Sequence, residues 1–245
     1  MIVVVGITGF TGRMGQAIAQ TIDVHPNACL AGGVTRPHTV PPADEESPLI
    51  ITDNPQELFP QCDVIVDFSH PSVVPIYARL AAEAGKAFMS GTTGLEEETL
   101  SVFKETAKKV PVLYASNTSL SLVVTKQVAK LTAKLLKDYD YDVSILDKHH
   151  KWKKDAPSGT ALSLGKSVLE GNKGKKMPSF ASVRSGSIIG EHEILFAGKG
   201  DTITLHHSVT DRRIFAQGAV HAAIWLSAQK VGFYSMEDVL QIDVL

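Results

Sequence analysis

The chain has 245 residues, 44% of them hydrophobic and 20% charged, with a formal net charge of −2. That balance fits an ordinary soluble globular protein of one or two domains, and it gives no global attraction to nucleic acid or to an anionic membrane. No apolar run approaches the length that spans a bilayer. The two cysteines, Cys29 and Cys62, lie in apolar segments without metal-ligand spacing, so reduced core thiols of a cytoplasmic protein are expected, and no metal site.

Residues 2–5 are a continuous β-branched run, expected to form a strand buried on both faces of a parallel sheet rather than a secretion leader. Met14, Ile18 and Ile22 recur every four residues and predict one apolar helix stripe. Residues 29–34 are the expected second strand, and residues 36–48, with four prolines, are expected to be mostly loop. Strands are predicted at 64–68, Ala87–Ser90 and 112–115, separated by helices near 72–85 and 96–109. This alternation argues for a doubly wound α/β sheet.

The pattern changes after Asn117. A long helix is expected over Leu120–Leu136, a strand over Asp142–His149, and a further helix over 161–169 with Pro157 near its first turn. Residues 191–197 and Thr202–Val209 flank Gly198-Lys-Gly-Asp201, a hairpin signal. This part is expected to be an α+β domain with an open mixed sheet, and stretches at 219–229 and 237–240 to be helical.

The loop Gly9-Phe-Thr11-Gly12-Arg13-Met14-Gly15 follows the first strand and opens the first helix. There glycines let backbone N–H groups approach a pyrophosphate at the helix N-terminus. An acidic residue after the second strand would hold the adenosine ribose hydroxyls of NAD, but Thr35-Arg36 stands there, and Arg36 suits the 2′-phosphate of NADPH. Asp67-Phe68-Ser69 and Gly91-Thr92-Thr93-Gly94 fall just beyond strands, where an open parallel sheet places its ligand.

His149-His150-Lys151-Trp152-Lys153-Lys-Asp-Ala-Pro-Ser158-Gly159-Thr160 joins a cation cluster to a helix N-terminus. The N–H groups around Ser158, Gly159 and Thr160 can hold one carboxylate, while nearby histidine and lysine can bind a second and deliver a proton. Taken singly, either histidine is more often structural, Lys151 is solvated and Trp152 is a packing residue.

The run His149-His150-x-x-Lys153-x-Asp155-Ala-Pro-Ser-Gly-Thr160-Ala resembles the signature of 4-hydroxy-tetrahydrodipicolinate reductases. The same resemblance takes in Gly9 to Gly15, Gly91 to Gly94, Arg184-x-Gly-x-Ile-x-Gly190-Glu-His192 and Phe215-Ala-x-Gly218-Ala. It implies a Rossmann-like domain over 1–119 and 213–245, and a substrate and tetramerisation domain over 120–212. The implied activity is NAD(P)H-dependent reduction of a cyclic dicarboxylate imine in lysine and diaminopimelate biosynthesis by a cytoplasmic homotetramer. His149 and Lys153 are the implied proton donors, and His150, Lys153, Ser158, Gly159 and Thr160 the implied substrate contacts. Arg13, Arg36, Gly91, Thr93 and Ser116-Asn117-Thr118 would line the cofactor site, and Arg212 would help fix a closed arrangement. Two other readings account for the first half of the chain: another two-domain reductase of an amino-acid-derived carbonyl, and a non-catalytic dinucleotide sensor.

Overall fold

A computed structural model describes residues 1–37, 39–40 and 47–241. Its described residues divide into two compact units, Met1–Thr118 together with 213–241, and Ser119–Arg212. Within the expected 36–48 loop, residue 38 and residues 41–46 lie outside the described residues, as do 242–245 of the C-terminal stretch.

The first unit starts with β1 (Val3–Thr8), α1 (Arg13–Asp23), β2 (Ala28–Val34), β3 (Ile50–Thr52) and the short α2 (Pro55–Leu58). It continues through β4 (Val64–Asp67), α3 (Val74–Glu83), β5 (Ala87–Ser90), α4 (Glu97–Thr106) and β6 (Pro111–Tyr114). Val5, Ile7, Ile65, Val66 and Phe88 are completely buried, as expected for parallel strands covered on both faces.

The second unit comprises α5 (Leu120–Leu136), β7 (Asp142–His149), α6 (Gly159–Gly171), β8 (Ser179–Arg184), β9 (Gly190–Ala197) and β10 (Thr202–Val209). Its sheet runs β10-β9-β7-β8, antiparallel except for the parallel β7/β8 pair. The hairpin closes with Gly198 N–H donating to the Asp201 carbonyl at 3.0 Å. Leu122 and Ala129 of α5, and Leu164 and Val168 of α6, bury themselves against Ile145, Ile194 and Phe196 of the sheet. This packing turns the odd-numbered side chains of β7 inward, so Ile145, Asp147 and His149 share the buried face.

The chain then returns to the first unit as α7 (Arg213–Ser227), β11 (Gly232–Tyr234) and α8 (Met236–Val239). The completed sheet has the order β11-β6-β5-β4-β1-β2-β3, with every neighbouring pair parallel. The order reverses between β1 and β4, and at such a switch point the loops beyond the strand ends diverge and leave a crevice.

Three strands escape the sequence reading. β3 and β11 have three residues each and lie at opposite edges of the large sheet, too short to show a period. β8 reads Ser-Phe-Ala-Ser-Val-Arg and is mostly exposed, because it is an edge strand with little to bury. The expectation of two core thiols needs correcting: Cys62 is buried, but Cys29 faces solvent from β2. Pro157 stands directly before Ser158, the N-cap of α6, and so lies near the first turn of that helix as expected.

Candidate active site

In the first unit a cleft of about 520 Å³ opens at the switch point, lined by the start of α1 and by the loops after β4, β5 and β6. Gly12 is the N-cap of α1, no side chain caps that end, and its first turn carries no acidic residue. The unopposed N–H dipoles therefore face a site suited to a pyrophosphate. Gly9 has φ +74°, and a Cβ there would lie 2.2 Å from the Phe68 carbonyl oxygen. A Cβ at Gly15 would lie 2.4 Å from the Gly9 carbonyl, and one at Gly91 would strike the Phe68 ring at 2.1 Å. These three glycines set the shape of the cleft, although Gly9 and Gly15 are absent from its wall.

Gly12, Arg13, Met14, Phe68, Ser69, Gly91, Thr92, Thr93, Ser116, Asn117 and Thr118 are all brought to the lining. Three other residues join them: Pro71, Ala115 and Phe215. Phe215 was visible only as part of a motif, and the structure explains that motif. Its carbonyl accepts from Thr118 Oγ1 at 2.7 Å, and a Cβ at Gly218 would collide with the Thr118 carbonyl at 1.8 Å. Glycine at 218 thus lets α7 press against the loop that bounds the cleft.

Asp67 corrects the expectation of direct cofactor contact. It is completely buried beneath the cleft and accepts hydrogen bonds from four hydroxyls: Thr8 (2.7 Å), Ser69 (2.5 Å), Ser90 (2.7 Å) and Thr92 (2.8 Å). It ties the ends of β1, β4 and β5 together and leaves no oxygen for a ligand. Thr35 is also outside the lining, buried with its hydroxyl given to the Arg36 carbonyl at 3.2 Å. Thr11 and Arg36 are exposed and likewise outside the lining, and Arg212 ends the second unit as an exposed residue.

In the second unit His149 ends β7 with its Nδ1 3.1 Å from Asp147 Oδ1. The same oxygen accepts from Arg184 Nη1 at 2.6 Å, while Oδ2 accepts from Ser182 Oγ at 2.7 Å and from Ser158 N–H at 3.0 Å. Burial alone would raise the Asp147 pKa, but the bonds from Arg184, Ser182, Ser158 and His149 outweigh it and hold the group at about 2. Burial pushes the His149 pKa down; the bond to Asp147 opposes this, and the Lys153 charge adds to it.

Behind His149 lie two further buried histidines, with ring centroids 5.2 Å from His149 to His192 and 6.0 Å from His192 to His207. His192 is held at about 3 by burial and by the neighbouring rings of His149 and His207. Its Nε2 lies 3.4 Å from Ser158 Oγ, and His207 Nε2 lies 3.0 Å from Ser121 Oγ. Asp147, Arg184, His192 and His207 were not assigned as site residues. The signal available was the period of two along β7 and β9, which puts Asp147 under His149.

Ser158 Oγ caps α6 by accepting from Ala161 N–H at 3.1 Å. Lys153 Nζ lies 2.8 Å from Asp155 Oδ1, and this ammonium, with the Gly159 N–H, lowers the Asp155 pKa. An internal carboxylate therefore occupies two of the groups expected to bind substrate. Thr160 begins α6 beside Gly159. His150 packs near Trp152, with centroids 5.8 Å apart, and its Nδ1 is buried without a partner. Trp152 is not a packing residue: it is 67% exposed, with Lys151 Nζ 5.0 Å from its ring centroid. Among the described residues no cluster of potential ligands could hold a metal ion.

Family models described as dihydrodipicolinate reductase, N-terminus, and dihydrodipicolinate reductase, C-terminus, match residues 3–118 and 121–240. The 4-hydroxy-tetrahydrodipicolinate reductase of Gluconobacter oxydans (strain 621H) is 38% identical over 252 residues, covering 97% of this chain and 96% of that protein. The enzyme of the same name from Gluconacetobacter diazotrophicus is 37% identical over 258 residues, covering 98% of this chain and 97% of the relative. Among solved structures, a dipicolinate-bound dihydrodipicolinate reductase from Paenisporosarcina sp. TG-14 superposes with a TM-score of 0.83 at 26% identity, covering 96% of this chain and 98% of that one. The chain belongs to the dihydrodipicolinate reductase family.

Proposed function

We propose that the chain is an NAD(P)H-dependent 4-hydroxy-tetrahydrodipicolinate reductase, acting on a small cyclic dicarboxylate in lysine and diaminopimelate biosynthesis. The observation that carries this reading is the segment from His149 to Thr160, where a histidine, a lysine and a helix N-terminus converge in a chain of that family. A non-catalytic sensor would have no use for that segment.

The first unit would hold the dinucleotide, with the start of α1 at Gly12, Arg13 and Met14 facing the pyrophosphate. Phe68, Ser69, Gly91, Thr92, Thr93 and the 116–118 loop would line the rest of its path, and Arg36 would meet a 2′-phosphate. Bound NAD(P)H supplies a hydride to the imine. The second unit would hold the substrate, with the Ser158–Thr160 turn and Lys153 on one carboxylate and His150 on the other. The substrate carboxylate would displace Asp155 from Lys153. Lys153 Nζ, or His149 Nε2 once the ring has taken up a proton there, would then deliver the proton that balances the electron density arriving on the ring, a contribution of roughly 10²- to 10⁴-fold in rate. The remaining acceleration would come from holding the ring face in place.

The proposal extends to a cytoplasmic homotetramer assembled through the second unit. Its sheet leaves β8 and β10 as open edges, where Val183 and Ile203 are 41% and 40% exposed. Two unpaired thiols support a reducing compartment. No helix of the described residues is long and apolar enough to cross a membrane.

The test is a coupled assay in which the product of dihydrodipicolinate synthase is offered to the chain and nicotinamide absorbance is followed. Loss of absorbance, inhibited competitively by pyridine-2,6-dicarboxylate, is expected. A chain that binds NADPH without consuming it would be a sensor. Light scattering should return the mass of four chains.

A further inference from the structure

We propose that Asp147 is the positioning residue of this active site: its carboxylate fixes which nitrogen of His149 is free to react, and it pins the substrate-binding turn to the same strand. The inference rests on the reading that His149 takes part in the reaction.

Asp147 and His149 are two residues apart on β7, so their side chains leave the same face. Asp147 is completely buried and receives four donors from three places: His149 on its own strand, Arg184 and Ser182 on β8, and the Ser158 N–H that leads into α6. A carboxylate so surrounded is ionised and can only accept hydrogen bonds. The hydrogen between the two groups must therefore belong to His149 Nδ1, which leaves the lone pair of the neutral ring on Nε2.

Space is kept open at Nε2. A Cβ on Gly190 would stand 3.2 Å from it, so glycine at this position leaves room that any other residue would narrow. The charged and titratable groups around His149 are Asp147 on β7, Arg184 on β8, His192 on β9 and Lys153 on the loop after β7. Of these only Asp147 attracts a proton to the ring. Arg184 balances the Asp147 charge and donates to the Asp155 carbonyl at 2.7 Å, so the carboxylate, the histidine and the turn before α6 form one unit. The anion-binding turn cannot shift without disturbing His149.

Two measurements test the role. The first is the ¹⁵N spectrum of histidine-labelled full-length protein at neutral pH, with the His149 signals identified by their loss in His149→Gln. Protonated Nδ1 and bare Nε2 are expected, and a hydrogen on Nε2 would overturn the proposal whether or not any variant folds. The second is a cycle of Asp147→Asn, His149→Gln and the double variant. Asp147→Asn should lower kcat about 100-fold. The double variant should be no more than about twofold slower than the slower single, because both changes act through one group. Losses that multiply would make Asp147 a structural residue and overturn the proposal. The spectrum needs no turnover, so a chain lacking the proposed activity would fail the coupled assay and still answer the question of the tautomer.

Discussion

Among the described residues each unit buries one carboxyl group, at or near the end of a strand, and the two are used differently. Asp67 of β4 is met only by hydroxyls, from Thr8, Ser69, Ser90 and Thr92. Asp147 of β7 is met by a guanidinium, an imidazole, a backbone N–H and one hydroxyl. A hydroxyl can turn and either donate or accept, so the Asp67 node is a fastening that holds loops around a cleft. Arginine and backbone N–H can only donate, so the Asp147 node depends on its charge and passes that dependence to His149. A buried carboxyl group is thus a joint in one unit and an electrostatic control in the other, and the hydrogen-bonding capacity of its partners decides which.

The largest effect should come from the group that touches substrate. Lys153 is partly exposed and pairs with the exposed Asp155, an ion pair worth at most about 1 kcal/mol to stability. Lys153→Ala should therefore cut kcat/KM by about 10²-fold or more while the melting temperature barely moves. Near-normal turnover in a folded variant would take Lys153 out of the reaction and leave the second unit with His149 alone.

Matched substitutions compare the two carboxyl groups directly. In Asp67→Asn the new amide can donate to a turned hydroxyl, so the expected cost in a denaturant titration is about 1 kcal/mol. In Asp147→Asn the amide faces donors, and the partly buried Arg184 guanidinium keeps its charge without its counter-ion, so about 3 kcal/mol is expected. Equal costs would mean that the two carboxyl groups do not differ in kind.

The sequence exposes more of the first unit than of the second for a physical reason. The Rossmann-like half announces itself through local signals: β-branched runs, a glycine turn and a helix stripe with Ile18 and Ile22 buried. The cleft residues follow because they lie at strand ends. The second unit's network depends on residues brought together from far apart, with Asp147 reaching Ser182 and Arg184 on a polar edge strand that has no readable period. His149 and Lys153 were legible as a motif, but the carboxylate under His149 emerged only once β7 had a buried face. Edge strands β3 and β11 were missed for want of length. The roles given to Asp67 and Trp152 failed because burial belongs to the folded chain and residue type alone does not fix it.

Acid separates the histidines from Asp147. His149, His192 and His207 all have lowered folded pKa values, His192 at about 3 against an ordinary 6.5. A depressed histidine contributes stability that is complete above its unfolded pKa and lost as pH falls through the window down to the folded value. Unfolding free energy should therefore decline from about pH 6.5 downward, by roughly 1.4 kcal/mol per pH unit for each excluded proton. His192→Gln should flatten part of this slope. Asp147, at about 2 against 3.8, keeps its contribution until pH falls below the ordinary carboxylate range and loses it towards pH 2. Asp147→Asn should remove the lower window and, because Asp147 attracts a proton to His149, should extend the upper window further towards acid. A slope above pH 5 that His192→Gln does not touch would place the acid sensitivity elsewhere.

The smallest effect expected is at the rim of the first unit, where charge and not burial does the recognising. Thr35 is 3% exposed with its hydroxyl committed to backbone carbonyls, so the position after β2 offers no carboxylate to ribose hydroxyls. Arg36, beside it, is exposed and carries the positive charge that a 2′-phosphate would seek. An exposed arginine–phosphate contact is screened by solvent, so Arg36→Ala should raise KM for NADPH about tenfold, near the low end for a charge-assisted bond. KM for NADH should stay within about twofold, because that cofactor has no phosphate at the position. Raising the salt concentration should shrink the NADPH effect in the parent protein and leave the variant indifferent. Steady-state kinetics with both cofactors at two ionic strengths would decide the matter. An equal rise for NADH and NADPH would mean that Arg36 contributes only to the general field of the cleft, and the choice between cofactors would then have to be made by the groups that line it.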